Sequence, residues 1–461
     1  MARLSRRKFL KYTSLGMGYL GISNFLGNLS GCSKSQSQKD RPNFLIIVAD
    51  DLGWGDVGYH DSEISTPTLN KMAEFGVQLN SFYVYPTCSP TRASLLTGRP
   101  PSRFGILNPI GGRSTQALPH DIVTLPELLR RNGYATAITG KWHLGLRPEV
   151  GPNKYGFEYA YGYLHGQIDQ YSHEYKNGDR SWHRNGQFID EEGHATDLIA
   201  NEAIKYIKEI RDKSKPFFLY VPFSVPHYPL QEEDKWVEPY AKTIKNKSRR
   251  LYAASVTHMD HAIGRILEAL REEKLHTKTL VFFFSDNGGQ KAWYPKTEYN
   301  LRHGPNDVLG NNKPFRGWKG DLYEGGIRVP AIMLWFSQLS RDVIDQPIHI
   351  TDVYPTLAHL AGIPLRPEYQ IEGLNVWEAI VDGKLLPKRV LYWRTPNQLA
   401  VRKGKWKLIN KGKSPEVGEN ELYNLYADPF ETIDFSLDYP NIVAELLGEM
   451  KKQYLKDKPI S

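Results

Sequence analysis

Cysteine is almost absent from this sequence, which has only Cys32 and Cys88 among its 461 residues. At most one disulfide could form, between residues 56 positions apart, so a disulfide framework is excluded. Internal repeats and extended low-complexity segments are also lacking, which argues against a repeat architecture and against disorder. With 40% apolar and 12% aromatic residues, the chain has the material for a large packed core.

A strong surplus of charge is lacking as well. The formal net charge is +8, but the first 31 residues contain five basic residues and no acidic ones, so the remainder carries only +3. This balance gives no electrostatic reason to expect a nucleic-acid partner. The length allows two or three domains at roughly 150 residues each.

The first 31 residues have the pattern of an export signal. Residues 5–11, "SRRKFLK", resemble a twin-arginine export signal. Residues 29–32, "LSGC", resemble the lipobox of bacterial lipoproteins, in which the cysteine is acylated and becomes the first residue. A transmembrane anchor is the alternative, but the apolar middle of the segment is shorter and more polar than the about 20 apolar residues that a span needs.

We therefore expect residues 1–31 to be a twin-arginine lipoprotein signal peptide and residues 32–41 to be a solvated tether with a lipidated Cys32. The protein would then be exported by the twin-arginine translocase and held on a membrane of the bacterial cell envelope by its lipid anchor. It would be periplasmic or anchored to the outer membrane. Acylation of Cys32 would leave Cys88 without a disulfide partner.

Short apolar runs alternate with helical patterns along most of the chain. The runs, typical of strands buried on both faces, are residues 43–50, 134–140, 216–223, 279–286 and 329–335. The helical patterns are residues 124–133, 197–211 and 249–273, and the first of them has Thr124 at the N-cap and Glu127 at the capping-box position. This alternation predicts an α/β fold with a large, mostly parallel sheet between helices.

The sequence pattern changes from about residue 390. Residues 399–409 and 420–429 are typical of short strands joined by polar turns, and residues 440–455 of a final helix. We expect a small C-terminal antiparallel sheet with one helix. The predicted domains are a catalytic domain over residues 42–385 and a C-terminal subdomain over residues 386–461.

Acidic and amide side chains follow two of the predicted strands. Asp50 and Asp51 end the first strand, and Asp286 and Asn287 end another. If both strands are central, these oxygens converge on one edge of the sheet, where hard ligands suit calcium or magnesium. The alternative is that each pair only terminates a strand and begins a turn.

Cys88 lies in the stretch "CSPTR", at the predicted start of a helix. A thiol there could be a buried filler, a nucleophile, a metal ligand or the precursor of a modified residue. Cys88-x-Pro90-x-Arg92, followed by "LTGR" at 96–99, resembles the signature of the type I sulfatases, in which that cysteine is oxidised to formylglycine.

Other landmarks of that family occur in order. They are "ADDLGWGD" at 49–56, "GKWHLG" at 140–145, "VPHYPL" at 225–230, "FSDNGGQ" at 284–290 and "PFRGWKGDLYEGGIRVP" at 314–330. The resemblance spans residues 42 to about 440, and residues 161–174 and 310–320 are similar to the arylsulfatase B branch, the N-acetylgalactosamine-4-sulfatases. The disulfides of the animal enzymes have no counterpart here. The family implies an alkaline-phosphatase-like sandwich.

The resemblance also implies a metal site. Asp50, Asp51, Asp286 and Asn287 would hold one Ca²⁺ per chain, and formylglycine 88 would complete the ligand set. The hydrated aldehyde would attack sulfur, and its second hydroxyl would later resolve the covalent sulfoenzyme intermediate.

Catalytic roles follow from the same resemblance. Arg92 would orient residue 88, while Lys141 and Lys319 would bind sulfate oxygens. His143 would take the diol proton, and His227 would protonate the sugar oxygen, with Lys319 as the other candidate for this role.

Polar residues in two loops are candidates for reading the sugar: Asp169, Gln170, His173, Arg302 and His303. Each could instead be a solvated loop residue.

The resulting hypothesis is a sulfuric ester hydrolase that acts on a sulfated polysaccharide or glycosaminoglycan fragment, with galactose- or N-acetylgalactosamine-sulfate-like units. A phosphonate or phosphodiester hydrolase of the same fold and an inactive glycan-binding lipoprotein are the alternatives. Further expected partners are a formylglycine-generating or anaerobic sulfatase-maturating enzyme, which would act on the unfolded chain before export. No nucleic-acid partner is expected.

Overall fold

The five apolar runs of the sequence form strands of one sheet in the computed structural model, which describes residues 41–459. The predicted signal peptide, most of the predicted tether and the predicted lipidation of Cys32 lie outside these residues. Within residues 41–459, no helix combines the length and the apolar character that crossing a membrane requires. The strands are β1 Asn43–Ala49, β2 Val77–Leu79, β3 Phe82–Tyr83, β4 Ala135–Lys141, β5 Tyr159–Tyr163, β6 Trp182–Arg184, β7 Gln187–Phe188, β8 Phe217–Pro222, β9 Thr279–Ser285, β10 Ala331–Leu334, β11 Asp342–Ile344, β12 Ile348–His349, β13 Val390–Arg394, β14 Leu399–Lys403, β15 Trp406–Asn410 and β16 Asn420–Asn424.

The main sheet has ten strands in the order β11-β2-β10-β9-β1-β8-β4-β5-β6-β7. The central strands β9, β1, β8, β4 and β5 are mutually parallel, while β10, β6 and β7 pair antiparallel with their neighbours. The predicted mostly parallel sheet is confirmed. The run at 329–335 forms β10, which pairs antiparallel with β9 on one side and with β2, near the edge of the sheet, on the other.

Helices cover both faces of this sheet. The α-helices of the described residues are α1 Pro67–Phe75, α2 Cys88–Thr97, α3 Leu125–Arg131, α4 Ala195–Lys205, α5 Asp234–Val237, α6 Lys247–Glu272, α7 Glu324–Ile327, α8 Val353–Leu360, α9 Trp377–Asp382 and α10 Pro440–Tyr454, of which α10 packs on the C-terminal sheet instead. Thr124 caps α3 by accepting the backbone N–H of Glu127. The predicted capping box is not completed, because the Glu127 carboxylate pairs with Arg130 and Arg131 instead.

Alternation along the strands divides the interior into two cores. In β1, Phe44, Ile46 and Val48 face one core, and Leu45 and Ile47 face the other. Both faces of β1 are fully buried, which explains why its sequence is a continuous apolar run.

The C-terminal strands β13–β16 form a separate antiparallel sheet, and α10 packs on one face of it through Leu446 and Met450. This part of the prediction is confirmed. A buried ion-pair group joins this sheet to the main body: Lys407 of β15 contacts Glu324 at 2.9 Å and Glu431 at 2.8 Å. The predicted boundary at residue 385 stays a prediction.

Candidate active site

The carboxyl ends of β1 and β9 bring the four predicted metal-binding side chains together. Ala49 and Ser285 are in register at the ends of these parallel strands, so the residues that follow share one edge of the sheet. The Nδ2 of Asn287 donates to Asp51 Oδ1 at 2.8 Å, and the backbone N–H of Asp51 donates to Asp286 Oδ1 at 3.3 Å. Asp50, Asp51, Asp286 and Asn287 are all buried.

Cys88 begins α2, with Thr87 at the N-cap. Its Sγ lies 3.2 Å from His143 Nδ1, and His143 Nε2 lies 2.8 Å from the carbonyl oxygen of Ile110. Because a carbonyl can only accept, Nε2 carries the ring proton and Nδ1 presents its lone pair to residue 88. The structure therefore places a proton acceptor beside the predicted site of modification.

Arg92 lies one helical turn after Cys88 and is buried. Its Nε and Nη2 donate to Asp286 Oδ2 at 3.1 and 2.7 Å, and its Nη1 donates to the Lys141 carbonyl at 3.1 Å. The guanidinium thus links α2 to the ends of β4 and β9.

Two lysines face the acid pair. Lys141 Nζ lies 2.6 Å from Asp50 Oδ2, and Lys319 Nζ lies 2.8 Å from Asp51 Oδ2. Lys141 is the last residue of β4. Lys319 lies in a loop, and its backbone N–H donates to the Gly289 carbonyl, which holds the loop in place. Both ammonium groups lie close enough to the cluster to bind an anion placed there.

His227 completes the group of predicted catalytic residues. Its Nδ1 lies 2.5 Å from the Tyr228 carbonyl oxygen, and its Nε2 lies 3.7 Å from Asp51 Oδ2. Nδ1 therefore donates to that carbonyl, and a neutral ring has a free lone pair on Nε2. To act as an acid at Nε2, His227 must first gain a proton.

The pKa values of this cluster are strongly perturbed. Burial, with Asp286 and Asp51 nearby, raises the pKa of Asp50 to about 7 although Lys141 opposes the shift. Burial also acts to raise the pKa of Asp51, but Lys319 and His227 outweigh it and lower the value to about 2. Burial lowers the pKa of His143 well below its usual value, and Lys141 and Arg92 add to this effect.

The donor set fits a hard divalent cation. Asp50 Oδ1 and Asn287 Oδ1 are buried and have no hydrogen-bond partner among the described residues. Ligand atoms of Asp50, Asp51 and His227 lie within 4.8 Å of one another. Orphaned buried oxygens are costly, and a cation bound among them would satisfy both. Asp50, Asp51, Asp286 and Asn287 are therefore suited to hold Ca²⁺ or Mg²⁺.

Two site residues have left-handed backbone conformations, with φ of 71° at Asp51 and 57° at His143. Such values are uncommon outside glycine and are held by surrounding contacts. Tyr252 of α6 supports Asp51, because its OH shares one proton between the Asp51 carbonyl at 3.0 Å and Asp56 Oδ2 at 2.8 Å. Gly166 lies against the His143 ring, where a Cβ would stand 2.4 Å from Cε1.

Sequence reasoning missed these supporting residues and Asp56. The carboxylate of Asp56 accepts from Gly53 N, Asn311 N and Tyr252 OH and pairs with Arg249 at 2.7 Å. The short spacing of Gly53 and Asp56 was a usable local signal for a turn. No local signal points to Tyr252, because its contacts cross about 200 residues of sequence.

The predicted sugar-binding residues have other partners in the structure. Asp169 accepts from two backbone N–H groups of its own loop and pairs with His303 at 2.7 Å. Gln170 is buried and accepts from Ser224 Oγ at 2.9 Å. His173 stacks on Trp182 at 4.5 Å.

Arg302 is the exposed member of this set, and its Nε donates to the Tyr299 carbonyl. The structure thus brings Asp169 and His303 together from distant loops, while Gln170 and His173 are framework residues of the loop around them. Direct sugar contact by any of the five stays a prediction.

A second cluster of potential metal ligands contains His194, Glu232 and His258. His194 Nδ1 accepts from Thr196 N, and its Nε2 donates to the Gln231 carbonyl, so both ring nitrogens are engaged. His258 lies 2.8 Å from Glu232 and 3.3 Å from Asp197. This arrangement is an ion-pair group around His258 that was not predicted from the sequence.

The chain is similar to proteins of a known family. The family model described as Sulfatase matches residues 42–363. Arylsulfatase J of Mus musculus is 34% identical over 89% of this chain and 75% of its own length, and N-acetylgalactosamine-6-sulfatase of Sus scrofa is 33% identical over 79% and 71%. The solved structure of Ps i-CgsB in complex with k-i-k-neocarrahexaose has a TM-score of 0.81 and 30% identity over 91% of this chain and 94% of that one.

Proposed function

The chain belongs to the sulfatase family and is a sulfuric ester hydrolase, and from this premise we propose that it works through a formylglycine made from Cys88. One observation carries the proposal. The Cys88 Sγ lies at a helix N-terminus, 3.2 Å from a proton-accepting His143 Nδ1, beside an acid cluster and two lysines. A sulfate monoester needs such an anion-binding niche.

A formylglycine at position 88 would supply, when hydrated, one hydroxyl that attacks sulfur and a second whose deprotonation allows release of sulfate. This is the covalent route implied by the resemblance. His143 is the proposed acceptor for that proton, because its Nδ1 lone pair faces residue 88 and its neutral form is favoured. Arg92 holds Asp286 and the end of β4 in place around residue 88.

Lys141 and Lys319 are the proposed sulfate clamps. Each now lies on one carboxylate of the acid pair, and each can turn its remaining N–H groups to the anion. Asp50, Asp51, Asp286 and Asn287 would hold Ca²⁺, which supplies positive charge against the sulfate oxygens.

His227 is the proposed general acid, with Lys319 as the competitor. The tautomer of His227 directs its Nε2 lone pair away from the Tyr228 carbonyl, so a bound anion that favours protonation would produce the acid form. Burial alone would lower the pKa of Lys319, but Asp51 and the other nearby acidic groups outweigh it and raise this pKa above its usual value, which makes Lys319 the poorer proton donor.

We propose a carbohydrate sulfate as substrate, on a fragment of sulfated polysaccharide or glycosaminoglycan with galactose- or N-acetylgalactosamine-sulfate-like units. The related proteins named for N-acetylgalactosamine 6-sulfate and the complex of Ps i-CgsB with an oligosaccharide support this class. Export by the twin-arginine translocase, maturation by a formylglycine-generating or anaerobic sulfatase-maturating enzyme and a lipid anchor on Cys32 are further parts of the proposal.

The test combines mass spectrometry with turnover. The peptide that contains residue 88 should lose the thiol sulfur and gain a carbonyl oxygen, and the protein should desulfate members of a panel of sulfated mono- and disaccharides. Cys88→Ala should reduce turnover by at least about 10³-fold, since the nucleophile is lost.

Arg130→Lys, in an exposed ion pair with Glu127, is the matched control and should retain activity. An unmodified thiol in fully active protein would overturn the mechanism. Faster turnover of phosphonate diesters than of every sulfated sugar would favour the other hydrolase of this fold.

A further inference from the structure

An open apolar groove lies at the edge of the main sheet opposite the candidate active site. It has a volume of about 500 Å³ and lies between α1, α6 and the start of β9. Thr279, the first residue of β9, lines the groove, whereas Asp286 follows the last residue of the same strand. Seven residues of strand, about 23 Å, separate the two.

The floor of the groove is apolar, and at its rim aromatic side chains lie beside the charged Lys71, Glu268 and Arg271. Met72, Leu270 and Val281 line the floor and are buried. Phe75 and Phe336 line the groove while each remains 53% exposed. Two large exposed aromatic side chains beside one apolar groove are typical of an interaction surface.

The chain enters the described structure beside this groove. Asn43, which begins β1, donates its backbone N–H to the Lys278 carbonyl at 2.8 Å and its Nδ2 to Thr279 Oγ1 at 3.3 Å. Cys32 and Arg41 are nine positions apart, and a fully extended segment of that length reaches about 30 Å at most. An acyl group on Cys32 would therefore hold Arg41 within about 30 Å of the membrane.

The charge around the groove suits anionic headgroups. Lys71, which lines the groove, and Lys274 and Lys278, which lie near the lining residues His276 and Thr279 in sequence, are exposed and form no ion pair with any other residue between 41 and 459. Of the exposed acids nearby, Glu74 is unpaired within this range, whereas Glu272 pairs with Lys208. The nearby acid Glu268 is already paired with Arg271. Unpaired lysines next to apolar side chains are attracted to the anionic surface of a bilayer.

We propose that this face of the protein rests on the membrane that holds the chain, with Phe75 and Phe336 at the boundary between headgroups and acyl chains. The inference rests on the predicted acylation of Cys32 and is independent of the sulfatase mechanism. It orients the carboxyl ends of the strands, and with them the candidate active site, away from the lipid and toward large soluble substrates.

The full-length lipoprotein, purified after export and reconstituted in phosphatidylethanolamine and phosphatidylglycerol vesicles, provides the test. Phe336→Cys adds a thiol for a polarity-sensitive dye, while Cys88 is buried. Leu437→Cys, at a residue that is 94% exposed and does not line the groove, is the matched control.

We expect a blue-shifted emission and quenching by spin-labelled lipid at position 336 and neither at position 437. Adding Phe75→Asp to Phe336→Cys should reduce the quenching at least about fivefold, with turnover of a soluble sulfated sugar unchanged. That unchanged turnover separates this inference from the proposed function.

Three results would overturn the inference. One is equal quenching at positions 336 and 437, which would mean that the tether leaves the orientation free. Another is a blue shift at position 336 without lipid quenching together with a dimer in light scattering, which would assign the groove to a second copy. The third is a chain that does not stay on vesicles at all.

Discussion

Arg92 shows how one residue can organise the whole site. Its guanidinium donates to Asp286 through two nitrogens and to the Lys141 carbonyl through the third. It thereby joins a predicted metal ligand, a predicted sulfate clamp and the helix that begins with Cys88. Lysine has the same charge but cannot reproduce this planar set of donors.

We predict that Arg92→Lys lowers kcat/KM by on the order of 10²-fold, because at most one of three buried hydrogen bonds is retained. Turnover should be normalised to the fraction of chains in which mass spectrometry finds residue 88 modified. This normalisation separates lost catalysis from lost maturation. Retention of full normalised activity by Arg92→Lys would contradict the role assigned to the guanidinium.

At the scale of elements, α6 fastens the loop that carries His227. His258 of α6 lies between Glu232, five residues after His227, and Asp197 of α4, and it stacks on Trp236 at 4.7 Å. Burial alone would lower the pKa of His258, but the carboxylates of Asp197 and Glu232 on either side of the ring outweigh it and raise the value to about 9. His194 lies beside this group, and burial lowers its pKa.

We predict a pH-dependent stability from His258. Its folded-state pKa of about 9 is above the usual 6.5, so its contribution is fully present below pH 6.5 and is lost as pH rises to about 9. The difference between the two pKa values corresponds to about 3.4 kcal/mol where the contribution is fully present and to about 2.5 kcal/mol at pH 7. His258→Gln should lower the free energy of unfolding by this amount at neutral pH and flatten its decline between these two values.

Urea unfolding over this pH range checks the His258 prediction. His261→Gln, one turn further along α6 and exposed, is the control and should leave the curve unchanged. If the stability of the unsubstituted protein does not decline between pH 6.5 and 9, His258 is not held in its charged form by Glu232 and Asp197.

At the scale of the whole molecule, the acid cluster is where distant parts of the chain meet. Asp50 and Asp51 come from one strand, Asp286 from another 235 positions from Asp51, and Lys319 from a loop beyond both. Buried carboxylates this close repel one another. Cation binding in the folded state should therefore stabilise the entire fold.

We predict that Ca²⁺ raises the melting temperature and that chelation lowers it. At a hundredfold excess over Kd, the stabilisation is about 2.7 kcal/mol. Mg²⁺ should stabilise less, because it prefers a smaller octahedral site and gives up water reluctantly. Asp51→Asn should abolish most of the Ca²⁺ effect, whereas Asp61→Asn, at an exposed position, should retain it. A melting temperature that no divalent cation changes would contradict the predicted metal site.

Local chemistry in the sequence was enough to predict five of the ten strands of the main sheet, several of the helices and the chemical class of the site. The strands β1, β8 and β9 can be recognised as continuous apolar runs because both of their faces are buried. The oxygen-bearing side chains of the site directly follow β1 and β9 in the sequence. Cys88 and Arg92 lie one helical turn apart, so their association is also local. The motifs were then sufficient to predict the sulfatase family, which the comparisons confirm.

Only the tertiary structure decided how these pieces support one another. The antiparallel pairing of β10 with β9 and the contact of Tyr252 with Asp51 depend on partners that are remote in sequence. The tautomers of His143 and His227 depend on backbone carbonyls. Neither kind of partner leaves a pattern in the sequence. The same holds for His258 and for the groove between α1 and α6. Periodicity and motif spacing report the neighbours of a residue along the chain, whereas burial, pairing and proton placement are set by what packs against it in space.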